Sequence, residues 1–173
     1  MEILTAKTVL YNNLPIFNSF EKQFGDRLIS LFPILKKISI KTFSMQQYKS
    51  AQENYIIQIK YPEKQPLSCF IYNNTGAIED TICGIVINDD LINSLKISEH
   101  EIYAGIAHEI GHILYFFAEN KDVNKEEFFA DSVACKLNLK NEMCQLIEKV
   151  LMTNIYPQST NNQLRIRQLF LQS

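Results

Sequence analysis

The sequence predicts an α+β fold, and three observations carry that expectation. Apolar residues recur at helical spacing near the start, short β-branched and aromatic segments separated by Pro, Asn and Gly follow, and from Ser98 onward the helical period returns. A helix, then a run of strands, then a run of helices is the order of an α+β chain rather than of an alternating one.

From Pro15 to Leu31, the residues Ile16, Phe17, Phe20, Phe24, Leu28 and Leu31 fall on one stripe of a helix, and Pro15 suits its first turn. The segments "ILKKISIKTF", "NYIIQIKY", "LSCFIYN" and "CGIVIN" read as strands of one small, mostly antiparallel sheet. Helices are expected over 98 to 118, 124 to 137, 140 to 153 and 161 to 171. With 173 residues, 46% of them hydrophobic, the chain can bury one core, and no repeat or Gly/Ser-rich linker divides it. Residues 1 to 173 therefore read as a single domain.

A net charge of -2, with Lys and Arg scattered, gives no electrostatic footprint for nucleic acid. Apolar stretches are broken well short of the roughly 18 to 20 residues that a membrane-spanning helix needs. The start "MEILTAKTVLYNNLP" has an acid at Glu2 and no sustained apolar run, unlike a signal peptide, so a cytoplasmic location is expected. Cys69, Cys83, Cys135 and Cys144 form no CxxC pair and are expected to be reduced, mostly buried thiols. Nothing in the pattern specifies an oligomeric state.

The chemistry-bearing stretch is "HEIGHILYFF", beginning at His108. Ser98 followed by Glu101 is a capping box at the start of the helix that would carry it. Residues four apart stack on one face of a helix, so His108 and His112 can both reach one ion about 2.0 to 2.1 Å from each ring nitrogen. Glu109, next to them, is placed to take a proton from a metal-bound water and hand it to a leaving amine.

A bare HExxH arises by accident in on the order of one chain in a few hundred of this length, so a third ligand is needed to give it meaning. Glu127 supplies one in "EEFFADSVACKL", on the next helix, after the polar connection "ENKDVNK". A His, His, Glu set with one open position is a catalytic zinc arrangement. Asp131, one turn beyond Glu127, is placed to accept the free ring N–H of a ligating histidine. Glu126 competes for the ligand role, but Glu127 has the four-residue relation to Asp131. Gly111 inside the motif helix weakens it by up to about 1 kcal/mol, which points to a close approach by another element. His100, near the helix start, is left outside the site.

"EIYAGIAHEIGH" followed by "EFFAD" resembles the HExxH plus ExxAD signature of gluzincin zinc metallopeptidases, most closely the M48 group related to the CAAX prenyl protease and HtpX. The match is best over residues 83 to 135. The resemblance implies a zincin-like domain holding Zn²⁺ through His108, His112 and Glu127, with Glu109 as general base and Asp131 orienting a ligand. In that group a late helix carries a His and, six residues on, an Arg near the substrate oxyanion. Here "STNNQLRIRQL" has Arg165 in the Arg place and Ser159 where the His would be. Arg165 is thus the first candidate to stabilise the oxyanion, and the phenol of Tyr156 is the other. In such families the strand before the motif helix, here "CGIVIN", is the sheet edge that faces the cleft, where an extended peptide can pair through its main chain.

These features together lead to the expectation of a zinc-dependent endopeptidase acting on a peptide or protein, for instance as a dedicated maturation protease that removes a leader. Two alternatives stand beside it: an ImmA/IrrE-like regulatory protease that cleaves a repressor, and a non-catalytic, zinc-containing module that binds a peptide.

Overall fold

The computed structural model describes residues 13 to 54, 62 to 73, 78, 81 to 118, 122, 125 to 153 and 156 to 173. In chain order these form α1 (Pro15–Leu31), a 3₁₀ turn (Pro33–Lys37), β1 (Ser39–Ser44), α2 (Met45–Asn54), a second 3₁₀ turn (Pro62–Lys64), β2 (Leu67–Asn73) and β3 (Thr81–Ile87). Then come α3 (Asp89–Ser94), α4 (Glu99–Phe116), α5 (Glu126–Lys136), α6 (Lys140–Met152) and α7 (Gln158–Gln172). The architecture is α+β, with a small sheet and a predominantly helical remainder.

Helix α1 covers the span its stripe predicts, burying Phe17, Phe20, Phe24 and Leu28. The first strand is shorter than expected, because Pro33–Lys37 wind into a 3₁₀ turn that begins at a proline. Two helices are absent from the sequence reading. In α2 the segment "MQQYKSAQEN" has too few apolar residues to show a stripe. It is held instead by Tyr48, which is fully buried and packs its ring 6.2 Å from that of Phe70. The short helix α3 starts at Asn88, whose side chain accepts a hydrogen bond from the Leu91 N–H. Most of "NYIIQIKY" lies outside the described residues.

The sheet has the order β1-β3-β2, with β1 parallel and β2 antiparallel to β3. It is therefore mixed, not mostly antiparallel. The helix α2 and strand β2 both intervene between β1 and β3, and that longer connection lets β1 and β3 run in the same direction. The expected position of "CGIVIN" is also corrected. Its strand β3 is the central one, and Cys83 to Ile87 are all buried, as an unbroken apolar run requires. Strand β2 lies on the outer side of β3 instead.

One face of the sheet, with Leu67, Cys83, Ile85 and Ile87, joins the main core under α1 and α4. The opposite face, with Phe43, Phe70 and Val86, packs with Tyr48 of α2. Gly84 is needed there, since a Cβ on it would stand 2.1 Å from the tip of the Phe70 ring.

Helix α4 runs through the middle of the core, with every residue from Glu101 to Gly111 buried. A helix enclosed on all sides is apolar all round, as "IYAGIA" is. Its start is fixed by the capping box: the Glu101 N–H donates to Ser98 Oγ at 3.3 Å, and the Ser98 N–H donates to Glu101 Oε2 at 2.5 Å. Lys149 of α6 donates to the same carboxylate at 2.6 Å. Burial favours a proton on Glu101, but the Lys149 and Ser98 hydrogen bonds outweigh it and hold its pKa below the usual carboxylate range.

Candidate metal centre

His108 and His112 project from the same face of α4, one turn apart, with their Nε2 atoms 3.0 Å from each other. Glu127, from the first turn of α5, brings Oε2 to 3.6 Å from His108 Nε2 and Oε1 to 3.6 Å from His112 Nε2. Four ligands placed tetrahedrally about 2.0 to 2.1 Å from a zinc ion stand about 3.3 Å apart. The 3.0 Å between the two nitrogens and the 3.6 Å from each to its nearer Glu127 oxygen lie on either side of that value. One donor atom from each residue falls within 4.8 Å of the others, so this group could hold one small ion.

The other nitrogen of each ring has its own carboxylate. His108 Nδ1 lies 2.8 Å from Asp131 Oδ1, and His112 Nδ1 lies 2.9 Å from Glu126 Oε1. A carboxylate can only accept here, so each Nδ1 carries the proton and each Nε2 presents a lone pair. Two lone pairs facing each other beside the Glu127 carboxylate leave an electron-rich point that suits a cation. The electrostatics agree: burial disfavours a charge on His112, yet Glu109, Glu127 and Glu126 outweigh it and raise its pKa.

Glu127 and Asp131 share one side of α5, as their four-residue spacing predicts. Glu126, weighed from sequence as a rival ligand, sits against the far side of His112 instead. The close fit of α4 on α5 is what brings these carboxylates within reach, and it passes through Gly111, which lies against Ala130.

Arg167 of α7 is the residue that sequence reading missed. It is 8% exposed, and it donates from Nε to Asp131 Oδ2 at 2.8 Å and from Nη2 to Asp131 Oδ1 at 2.7 Å. Its Nη1 stands 2.7 Å from Glu127 Oε2. Burial alone would raise the pKa of Asp131, but Arg167 and His108 reverse this and lower it to about 2. Arg165, by contrast, is exposed and does not line the cleft. Two positions apart on a helix is about 200° of rotation, so the two arginines face opposite ways. Leu164, Arg167 and Leu171 form the inward stripe of α7, at spacings of three and four, and that pattern was the available signal.

The centre lies in a cleft of about 740 Å³. Glu109 is buried at its side, next to Cys69 of β2 and Tyr156. Burial first, then the Glu109 charge and a hydrogen bond with Glu109, push the Cys69 thiol well above its ordinary range, so it stays protonated beside the carboxylate. Tyr156 lines the cleft, but its hydroxyl donates to the Lys64 carbonyl at 2.6 Å. Burial and the Glu109 charge push that phenol up to about 12. Every residue from Gln65 to Tyr72 borders the cleft, so the strand β2 presents its backbone edge rather than one face. Met143, Leu146, Ile147 and Val150 of α6 form an apolar floor. His100 is exposed at the start of α4, away from the centre.

Among the described residues no helix is long and apolar enough to cross a membrane. The chain matches no family model, no curated protein and no solved structure.

Proposed function

We propose that the chain is a zinc-dependent endopeptidase of gluzincin type. The observation that carries this reading is the convergence of His108 Nε2, His112 Nε2 and the Glu127 carboxylate in a cleft that also holds a buried acid, Glu109. When bound there, a divalent ion supplies a Lewis acid for the scissile carbonyl and acidifies water.

The chain's own residues do the rest. Glu109 accepts a proton from the attacking water, whose oxygen bonds to the carbonyl carbon. As the C–N bond breaks, Glu109 returns the proton to the departing amine. The protonated Cys69 thiol donates to Glu109 and keeps its carboxylate oriented. Asp131 and Glu126 hold the two imidazoles in the tautomer that leaves Nε2 free. Arg165 is turned to solvent and takes no part in this scheme.

The cleft suits an extended peptide. The edge of β2 offers main-chain hydrogen bonds, and the floor formed by α6 offers a seat for an aliphatic or aromatic side chain. Removal of a leader from a precursor peptide and cleavage of a repressor, as in ImmA/IrrE-type proteases, are both compatible with that seat. Buried Glu109 favours an enzyme over a peptide-binding module, because a purely structural zinc site has no use for a base. Incubation of the zinc-loaded protein with a mixed peptide library, read by mass spectrometry, tests the proposal. Cleavage before aliphatic or aromatic residues supports it, and an uncleaved library with metal bound favours the binding module.

A further inference from the structure

We infer that Arg167 makes Glu127 a one-oxygen ligand, so that the C-terminal helix α7 helps set the coordination number of the centre. This rests on the reading that His108, His112 and Glu127 hold a divalent ion. A carboxylate can bind a metal through one oxygen or both. A catalytic site with three protein ligands needs its fourth position open, and a carboxylate that turned both oxygens inward would crowd that position.

Glu127 is poorly restrained by its own surroundings: its side chain is 48% exposed, and it reaches the site from the first turn of α5. Arg167 supplies the restraint. Its Nη1 stands 2.7 Å from Oε2, the length of a charge-assisted hydrogen bond. The guanidinium cannot turn away, because Nε and Nη2 are both bound to Asp131, whose side chain is fully buried. A guanidinium is planar, so two anchored nitrogens fix the direction of the third. Each Glu127 oxygen stands 3.6 Å from one histidine Nε2, but Oε2 is held by Arg167, so Oε1 is the oxygen left to meet the ion. The same Asp131 accepts from His108 Nδ1, so a single arginine fixes the surroundings of two of the three ligands. Lysine could not do this, since one ammonium cannot grip Asp131 at two points and reach Glu127 as well. Arg167 is in these terms a positioning residue.

The test uses Co²⁺ in place of zinc, because its visible absorption is strong in four-coordinate sites and falls several-fold when a further ligand enters. Wild type, Arg167→Lys and Arg167→Met are titrated with Co²⁺, and thermal unfolding of the metal-free proteins is followed alongside. The expected result is a strong four-coordinate spectrum for wild type, with both variants folded, weaker in absorption and bound about 10- to 100-fold less tightly. Variants that keep the wild-type spectrum and affinity overturn the inference and leave the metal reading intact. Wild type that takes up no Co²⁺ overturns both. If neither variant folds, a crystal structure of the zinc-loaded wild type decides. One Glu127 oxygen within about 2.2 Å of the ion and the other on Arg167 supports the inference, and both oxygens on the ion overturns it.

Discussion

Gly111 of α4 lies so close to Ala130 of α5 that a Cβ added at Gly111 would stand 2.5 Å from the Ala130 Cα. The obstacle is backbone rather than the end of a flexible side chain, so it could only be relieved by moving one helix. This contact sets the distance at which Glu127 approaches His108 and His112.

Gly111→Ala is therefore expected to destabilise the fold by about 1 to 3 kcal/mol, although alanine favours a helix by about 1 kcal/mol over glycine. It is also expected to weaken zinc binding, because α5 must retreat. Gly25→Ala in α1 is the control: its added Cβ meets only the Glu21 Cγ, at an ordinary 3.4 Å. That change is expected to stabilise by about 0.5 to 1 kcal/mol. Urea unfolding and a zinc titration of both variants check the contrast.

Glu109→Gln is expected to keep zinc and lose peptide cleavage by about 100-fold or more, the scale of a lost general base. Metal analysis and cleavage rates on the same preparation are the readout. A variant with full activity would remove Glu109 from the role proposed for it.

Tyr156→Phe separates two roles for the phenol. Its hydroxyl proton is given to the Lys64 carbonyl, joining the 3₁₀ turn before β2 to the segment before α7. Loss of that bond is expected to lower stability by about 1 kcal/mol with cleavage reduced less than tenfold. A fall in turnover of 100-fold or more at unchanged stability would instead assign Tyr156 to the oxyanion.

Asp131 predicts an acid-sensitive component of stability. Its carboxyl titrates at about 2 in the folded protein, below its ordinary 3.8. The unfolded chain therefore binds the proton first, and folding stability falls as pH drops. The contribution is fully present above about pH 4 and is lost as pH falls through about 2, amounting to on the order of 2 kcal/mol. Urea midpoints of chelator-treated protein between pH 6 and 3 should show this decline, and Asp131→Asn should flatten it at a lower overall stability.

Local features were legible in the sequence, and features closed by distant contacts were not. The Ser98 and Glu101 box, the stripe of α1 and the stacking of His108 on His112 each need only a few neighbouring residues to be read. The ion pair of Arg167 with Asp131 joins residues 36 apart, and spacing within one helix cannot reveal it. The stripe of Leu164, Arg167 and Leu171 nevertheless shows which arginine of α7 faces inward. Sheet order was illegible for a similar reason. "CGIVIN" and "LSCFIYN" are both short apolar runs, and which one is central depends on the parallel pairing of β3 with β1. Glu126 and Glu127, adjacent in sequence, meet opposite sides of His112, and Glu127 alone of the two also reaches His108 and Arg167.

The most direct measurement is the metal content of the protein purified without added metal, by inductively coupled plasma mass spectrometry, beside Glu127→Ala. A zinc centre at His108, His112 and Glu127 predicts about one zinc per wild-type chain and a sharp loss in the variant. Wild type with no bound metal, even after zinc addition and dialysis, would contradict it and leave "HEIGH" as scaffold.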